Sequence, residues 1–133
     1  MVEKRRELGT VIVISLLRGV NVGGHHMIKM EALRALYGSL GLLDAQTYVQ
    51  SGNVVFRTKD PDLVALAGRI ESAIEQSFGF RPGVILRTAS DLRGVLKRNP
   101  FANRSEIHPG KLLVGFLAAA PTAQARDLIS AQI

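Results

Sequence analysis

Apolar residues along this chain gather into short runs with two different periods. Val11–Leu17 is a continuous β-branched and leucine-rich stretch, the pattern of a strand. The segment from Gly19 to His26 is punctuated by Gly19, Gly23 and Gly24 and therefore predicts a loop. Met30, Leu33, Leu36, Tyr37 and Leu40 then recur at helical spacing, and Gly41 stands where a helix would end in the left-handed conformation, so a helix is predicted over residues 30–40. Residues 45–50 and 53–58 read as two short strands around Ser51-Gly52, a two-residue connection that predicts a tight hairpin. Asp60-Pro61 offers a cap and then a proline at the first helical position, followed by a second helix. Its apolar stripe is Leu63, Leu66, Ala67, Ile70, Ala73, Ile74 and Phe78, and Gly79 ends it. Residues 84–87 predict a fourth strand. Ser90 is the expected cap of a short helix over 91–98, which Asn99-Pro100 stops.

The order β-α-β-β-α-β predicts an α+β chain built on a ferredoxin-like, split β-α-β unit, with both helices on one face of an antiparallel sheet. Beyond it, residues 111–117 form another apolar run and residues 122–132, behind Pro121, another helical one. This β-α pair is expected to be a partial second copy. The expected organisation is thus a complete unit over 10–88, a connector with a short helix over 89–110, and an incomplete second unit over 111–133. The first strand carries apolar residues on both faces, Val11, Val13 and Leu17 on one and Ile12, Ile14 and Leu16 on the other. Only Ser15 breaks the pattern. Both faces therefore call for cover, from residues 111–133 or from another chain.

Composition narrows the chemistry. The chain has 133 residues, 47% of them hydrophobic and 21% charged, enough to bury a core. It contains no Cys, which excludes disulfide scaffolds, thiolate metal sites and thiol nucleophiles. Lys4-Arg5-Arg6 before the first apolar run mimics a secretion signal, but Arg18 ends that run early and no small-x-small cleavage site follows. A cytoplasmic, non-membrane protein is expected. Lys and Arg exceed Asp and Glu by 17 to 11, a net charge of +6, with a local excess in Arg93, Lys97, Arg98, Arg104 and Lys111.

Two long ungapped blocks carry a family resemblance. One runs Leu16-Leu17-Arg18-Gly19-Val20-Asn21-Val22-Gly23-Gly24, followed by Ile28-Lys29-Met30 and Leu33-Arg34. The other is Thr47-Tyr48-Val49-Gln50-Ser51-Gly52-Asn53-Val54-Val55-Phe56. The chain resembles a bacterial family of uncharacterised conserved proteins catalogued as domain of unknown function 1697, from about residue 10 onward. The resemblance implies an α+β protein of two ferredoxin-like halves, and a chain that ordinarily continues past the position of Ile133. The sequence is accordingly expected to be a C-terminally shortened member. The family supplies no catalytic residues to carry over.

The candidate site lies in the two glycine-containing connections. A glycine-rich turn between a strand and a helix can direct backbone N–H groups at an anion, aided by the helix dipole. Here Arg18 and Lys29 would add charge, Asn21 and His25 donors, and Gly23 and Gly24 close backbone approach. Turn chemistry alone accounts equally for these glycines. Gln50, Ser51 and Asn53 around Gly52 form the second candidate. Strand one ends at the first loop and the helix returns, so the second strand runs parallel to the first and both connections are expected at one end of the sheet.

Other chemistries fit less well. Ser51 as a nucleophile would need His25 or His26 as base and lacks an orienting acid. The adjacent histidines lack metal-ligand spacing, so neither a metal nor a cofactor is expected. RNA-recognition modules of this architecture stack bases on aromatics in strands one and three, where only Phe56 is available. The reading that follows is a binding module for a small anionic ligand at Arg18, Asn21, Gly23, Gly24, Lys29, Gln50, Ser51 and Asn53. The alternatives are sequence-independent nucleic-acid binding through the basic 89–111 segment, or a structural role in which a homodimer covers apolar surface.

Overall fold

The computed structural model describes residues 9–60 and 62–132. The basic cluster Lys4-Arg5-Arg6 and the expected helix-start residue Pro61 lie outside them. The chain divides into two compact units, Met1–Asn99 and Pro100–Ile133.

The first unit is a mixed α+β structure around a four-stranded antiparallel sheet. Its elements are β1 (Val11–Leu17), α1 (Met30–Ser39), β2 (Leu43–Thr47), β3 (Val54–Thr58), α2 (Leu63–Phe78), β4 (Val84–Thr88) and α3 (Ala89–Lys97). The strand order is β2-β3-β1-β4, and every adjacent pair is antiparallel. Alternation on β1 turns Val13, Ser15 and Leu17 to the buried side. The helices meet them with Met30, Leu33 and Tyr37 from α1 and Leu66, Ile70 and Ile74 from α2, rows at the three- and four-residue spacing of one helix face. Phe56 of β3 packs edge-on against Tyr37, with ring centroids 5.6 Å apart.

The one polar residue in the β1 run is buried in this core. Ser15 is fully buried, and its hydroxyl lies 2.7 Å from the equally buried Tyr37 hydroxyl. Each group satisfies the other, where an unpartnered hydroxyl would cost about 1–3 kcal/mol.

Local boundaries differ from expectation in three places. Helix α2 starts later than Asp60-Pro61 suggested: its cap is Asp62, whose carboxylate accepts the Ala65 N–H at 3.0 Å, while Asp60 accepts the Asp62 N–H at 3.0 Å. Thr88, not Ser90, caps α3, in a reciprocal capping box with Asp91. Strand β2 begins two residues early and contains an irregularity between Leu43 and Gln46, with Asp44 at φ 54. Helix ends behave as glycine chemistry demands: Gly79 closes α2 at φ 83.

The second face of β1, Ile12, Ile14 and Leu16, is half-buried. Helix α3, expected only as a connector, lies beside β1 and β4 outside the core cluster. The outer edge of β4 is also occupied. The bond from the Arg18 N–H to the Gly83 carbonyl, at 2.9 Å, sets the phase of pairing, so Val84, Leu86 and Thr88 turn their backbone groups away from β1. Glu71 accepts the Val84 N–H at 3.0 Å, Arg87 donates to the Leu86 carbonyl at 2.8 Å, and Asp91 accepts the Thr88 N–H at 2.9 Å. Side chains thus take positions that another strand would otherwise use.

The second unit holds a 3-10 turn, Pro109–Lys111, and helix α4, Ala123–Ser130, capped by Thr122. The strand expected over 111–117 does not form; after the turn the backbone is irregular. An apolar run becomes a strand only if another strand receives its N–H and C=O groups, and no described residue ladders with it. Among the described residues no helix is long and apolar enough to cross a membrane.

Tyr37→Phe should destabilise the protein by about 1–3 kcal/mol, and the double variant Ser15→Ala/Tyr37→Phe should recover part of that loss in urea unfolding. Burial raises the Tyr37 phenol above its ordinary range, against a smaller lowering by the Ser15 hydrogen bond. The unfolded phenol ionises near about pH 10, so the contribution of the protonated group is intact below that pH and lost as pH rises toward the folded-state value. Wild type should therefore lose more stability than Tyr37→Phe between about pH 9 and pH 11. Glu71→Ala, which frees the Val84 N–H, should increase self-association in sedimentation.

Candidate functional site

The connection after β1 is a miniature hairpin. The Asn21 N–H bonds the His26 carbonyl at 3.1 Å, and the His25 N–H bonds the Val22 carbonyl at 3.0 Å. Gly23 and Gly24 form its tip with φ 59 and 76, the doubly positive pattern of a primed turn. Val20 and Ile28 on either side are buried in the core, so the hairpin stands on an apolar base and projects its tip outward.

Asn21 joins this hairpin to the β2–β3 connection. Its side-chain nitrogen donates to the carbonyls of Ile28, at 3.1 Å, and Gln50, at 3.0 Å. Its side-chain oxygen accepts the Ile28 N–H at 2.8 Å. Asn21 itself is left-handed, at φ 57, a conformation that asparagine tolerates better than most residues.

The β2–β3 connection is not the two-residue turn that Ser51-Gly52 suggested. Thr47 pairs with Val54, leaving residues 48–53 as a loop. The Ser51 hydroxyl donates to the Tyr48 carbonyl at 2.7 Å and accepts the Asn53 N–H at 3.1 Å. Gly52 has φ 81, and a Cβ there would lie 3.3 Å from the Val20 Cβ and 3.4 Å from the Leu17 Cβ. Contact with β1 and its hairpin therefore requires glycine. A shorter turn would deny Asn21 the Gln50 carbonyl.

The α2–β4 connection completes this end of the sheet. His26 stacks on Phe80 with ring centroids 4.2 Å apart and an interplanar angle of 6°. The first two connections collect unusual backbone: Asn21, His26 and Val49 have positive φ without being glycine. For a β-branched residue such as Val49, at φ 46, that conformation is costly.

All eight sequence-predicted site residues lie in the two loops that Asn21 joins, but their roles differ. Arg18, Gly23, Gly24, Lys29 and Gln50 are exposed, whereas Asn21, Ser51 and Asn53 are half-buried. Asn21 spends both amide hydrogens on backbone carbonyls, and Ser51 spends its hydroxyl hydrogen on one; both position the loops. Arg18 and Lys29 form no ion pair among the described residues. Lys29 is the N-cap of α1 and makes no side-chain capping bond, so the first amides of that helix lack the side-chain acceptor that Asp62 gives α2. Ser51 has backbone partners and no base, and no metal-ligating cluster exists among the described residues.

Exposed apolar side chains that no periodicity in the sequence marks also gather here. Tyr48, Val49, Val22 and Met27 are 76%, 69%, 62% and 61% exposed. Tyr48 and Val49 looked like strand residues because their apolar character fits a strand; the positive φ of Val49 is set by the loop. The basic residues of 89–111 do not form one patch within a unit. Arg93, Lys97 and Arg98 belong to α3 and its C-cap, while Arg104 and Lys111 lie in the second unit, with Arg104 paired to Glu106 at 2.6 Å.

The pattern of the family described as "Protein of unknown function (DUF1697)" matches residues 11–132. The chain belongs to this family. A solved structure, that of the conserved bacterial protein SP0830 from Streptococcus pneumoniae, is similar at 28% identity with a TM-score of 0.64. The similarity covers 71% of this chain and 53% of that one, so the match spans about half the length of the pneumococcal protein. No curated protein matches the chain.

Asn21→Ala should cost about 1–3 kcal/mol by stranding the N–H and carbonyl of buried Ile28. Asn21→Asp should fail to rescue it, because a carboxylate cannot donate to the Ile28 and Gln50 carbonyls. Gly52→Ala should likewise destabilise and should raise amide exchange in both loops; unchanged exchange would contradict the described packing.

Proposed function

We propose that this protein is a binding module for a small anionic ligand, carried at the end of a ferredoxin-like split β-α-β unit over residues 10–88. The β2-β3-β1-β4 order, with β1 and β2 each antiparallel to the β3 between them, supports the ferredoxin-like reading. The observation that carries the functional reading is the joining by Asn21 of two polar loops, which carry Arg18 and Lys29 with no ion pair among the described residues. A cation is a poor helix N-cap, because it meets the positive end of the dipole. A bound anion reverses that penalty, accepting from the first α1 amides and from Lys29 together. Gln50 and Asn53 bring side-chain amides to the same end, and the Gly23-Gly24 tip brings backbone without side-chain cover.

In thermal-shift measurements, phosphate or a phosphorylated metabolite should raise the melting temperature, beyond the effect of chloride at equal ionic strength. Arg18→Ala and Asn53→Ala should abolish the shift with far-ultraviolet circular dichroism unchanged. Lys29→Ser is the sharper variant. It installs a favourable cap, so it should stabilise the ligand-free protein by about 1 kcal/mol while removing the anion-dependent shift. A broad panel of phosphates, nucleotides and carboxylates that leaves wild type unmoved would refute the reading.

A further inference from the structure

The Tyr48 side chain makes no hydrogen bond or ring contact among the described residues. Tyr48 is 76% exposed, and neighbouring Val49 is 69% exposed despite its unfavourable backbone. The other tyrosine, Tyr37, is fully buried. Tyr48 is also held in place: its carbonyl accepts from both the Ser51 N–H, at 3.3 Å, and the Ser51 hydroxyl, at 2.7 Å. Two residues further on, the Gln50 carbonyl shares the Asn21 amide with the Ile28 carbonyl. Lys29 follows Ile28 directly, and Arg18 follows Leu17, which Gly52 abuts. One short loop therefore presents an outward ring, abuts Leu17 beside Arg18, and is joined through Asn21 to Ile28 beside Lys29. Val22 and Met27, 62% and 61% exposed, add apolar surface from the adjoining hairpin.

We infer that the anion taken at this end is the phosphate of a nucleotide, whose base stacks on Tyr48. This rests on the anion-binding reading and specifies its ligand. A free phosphate or small carboxylate would use the cations and leave Tyr48, Val22 and Met27 in water. An acidic peptide would be drawn by charge but has no planar ring to lay on the tyrosine. A nucleotide has a flat apolar face and an anion a few bonds apart, matching an aromatic beside cations. The site is distinct from the basic 89–111 segment, and its stacking residue lies in a loop, not on the sheet strands.

The test compares inorganic phosphate and ribose 5-phosphate with mononucleotides and with short single-stranded DNA and RNA. Titration is followed by calorimetry and by tyrosine fluorescence, which a stacked base quenches. Stacking is worth about 1–3 kcal/mol per base, so nucleotides should bind at least about fivefold tighter than ribose 5-phosphate. Tyr48→Ala should erase that advantage and the quenching while leaving phosphate binding unchanged, and Tyr48→Phe should keep the advantage. Arg93→Ala/Lys97→Ala should bind as wild type does. Saturation by mononucleotides identifies a free nucleotide as the ligand, whereas binding confined to oligonucleotides identifies a single strand; either supports the assignment. Phosphate binding with no gain from the base, or with no effect of Tyr48→Ala, overturns the nucleotide assignment alone. Poly-glutamate binding as tightly as an oligonucleotide also overturns it. Failure of phosphate and nucleotides alike overturns both readings.

Discussion

The hydrogen bond between Ser15 and Tyr37 is the constraint around which the first unit is arranged. A serine in the middle of a buried strand and a tyrosine on a buried helix face are each unfavourable alone, and their pairing removes both penalties at once. The bond ties α1 to β1 at one register. A helix displaced along the strand would leave two hydroxyls without partners in an apolar interior, so the pair specifies the packing as well as tolerating it. Phe56 against Tyr37 extends that specification to β3.

From this fixed core the loop end follows. With β1 and α1 held in register, the chain between Leu17 and Met30 must leave the sheet, reverse and return, and it does so through a small hairpin whose base is buried. Asn21 then sets the neighbouring loop by its two carbonyl bonds, and Gly52 allows that loop to approach. The result is a surface where cations, amides and an aromatic ring are carried on short, internally bonded connections. Ligand sites commonly take this form, on loops positioned by a rigid scaffold. Costly conformations at Val49 and His26 are held here by the surrounding bonds.

Legibility in the sequence tracked the range of the forces involved. Strand β1 was readable from its continuous β-branched apolar run and the two core helices from a three- to four-residue period that reports burial directly, and Gly41 and Gly79 marked helix ends because only a left-handed residue closes them cheaply. Caps were less readable: Thr88 and Ser90 are both good candidates, and the choice depends on whether Asp91 returns the bond. The loop between β2 and β3 was misjudged for a comparable reason. Ser51-Gly52 suits a two-residue turn in isolation, but Asn21, some thirty residues earlier, requires the Gln50 carbonyl. The strand expected over 111–117 failed because propensity is a property of a segment and a ladder is a property of two.

What the sequence determined by itself was the order of elements in the first unit, the exclusion of thiol chemistry, and the presence of polar residues at the ends of particular strands. Those follow from composition and local periodicity. The tertiary structure alone decided which of those residues are spent and which are free. Asn21 and Ser51 looked equivalent to Arg18 and Lys29 as ligand groups, yet their hydrogens are consumed by backbone carbonyls. Tyr48 looked like a strand residue, yet its ring faces water. Hydrogen-bond partnership and exposure depend on atoms distant in the chain, and folding is what brings those atoms together. Ser15 shows the division most simply: the sequence marked it as an anomaly, and only the fold supplied Tyr37 to resolve it.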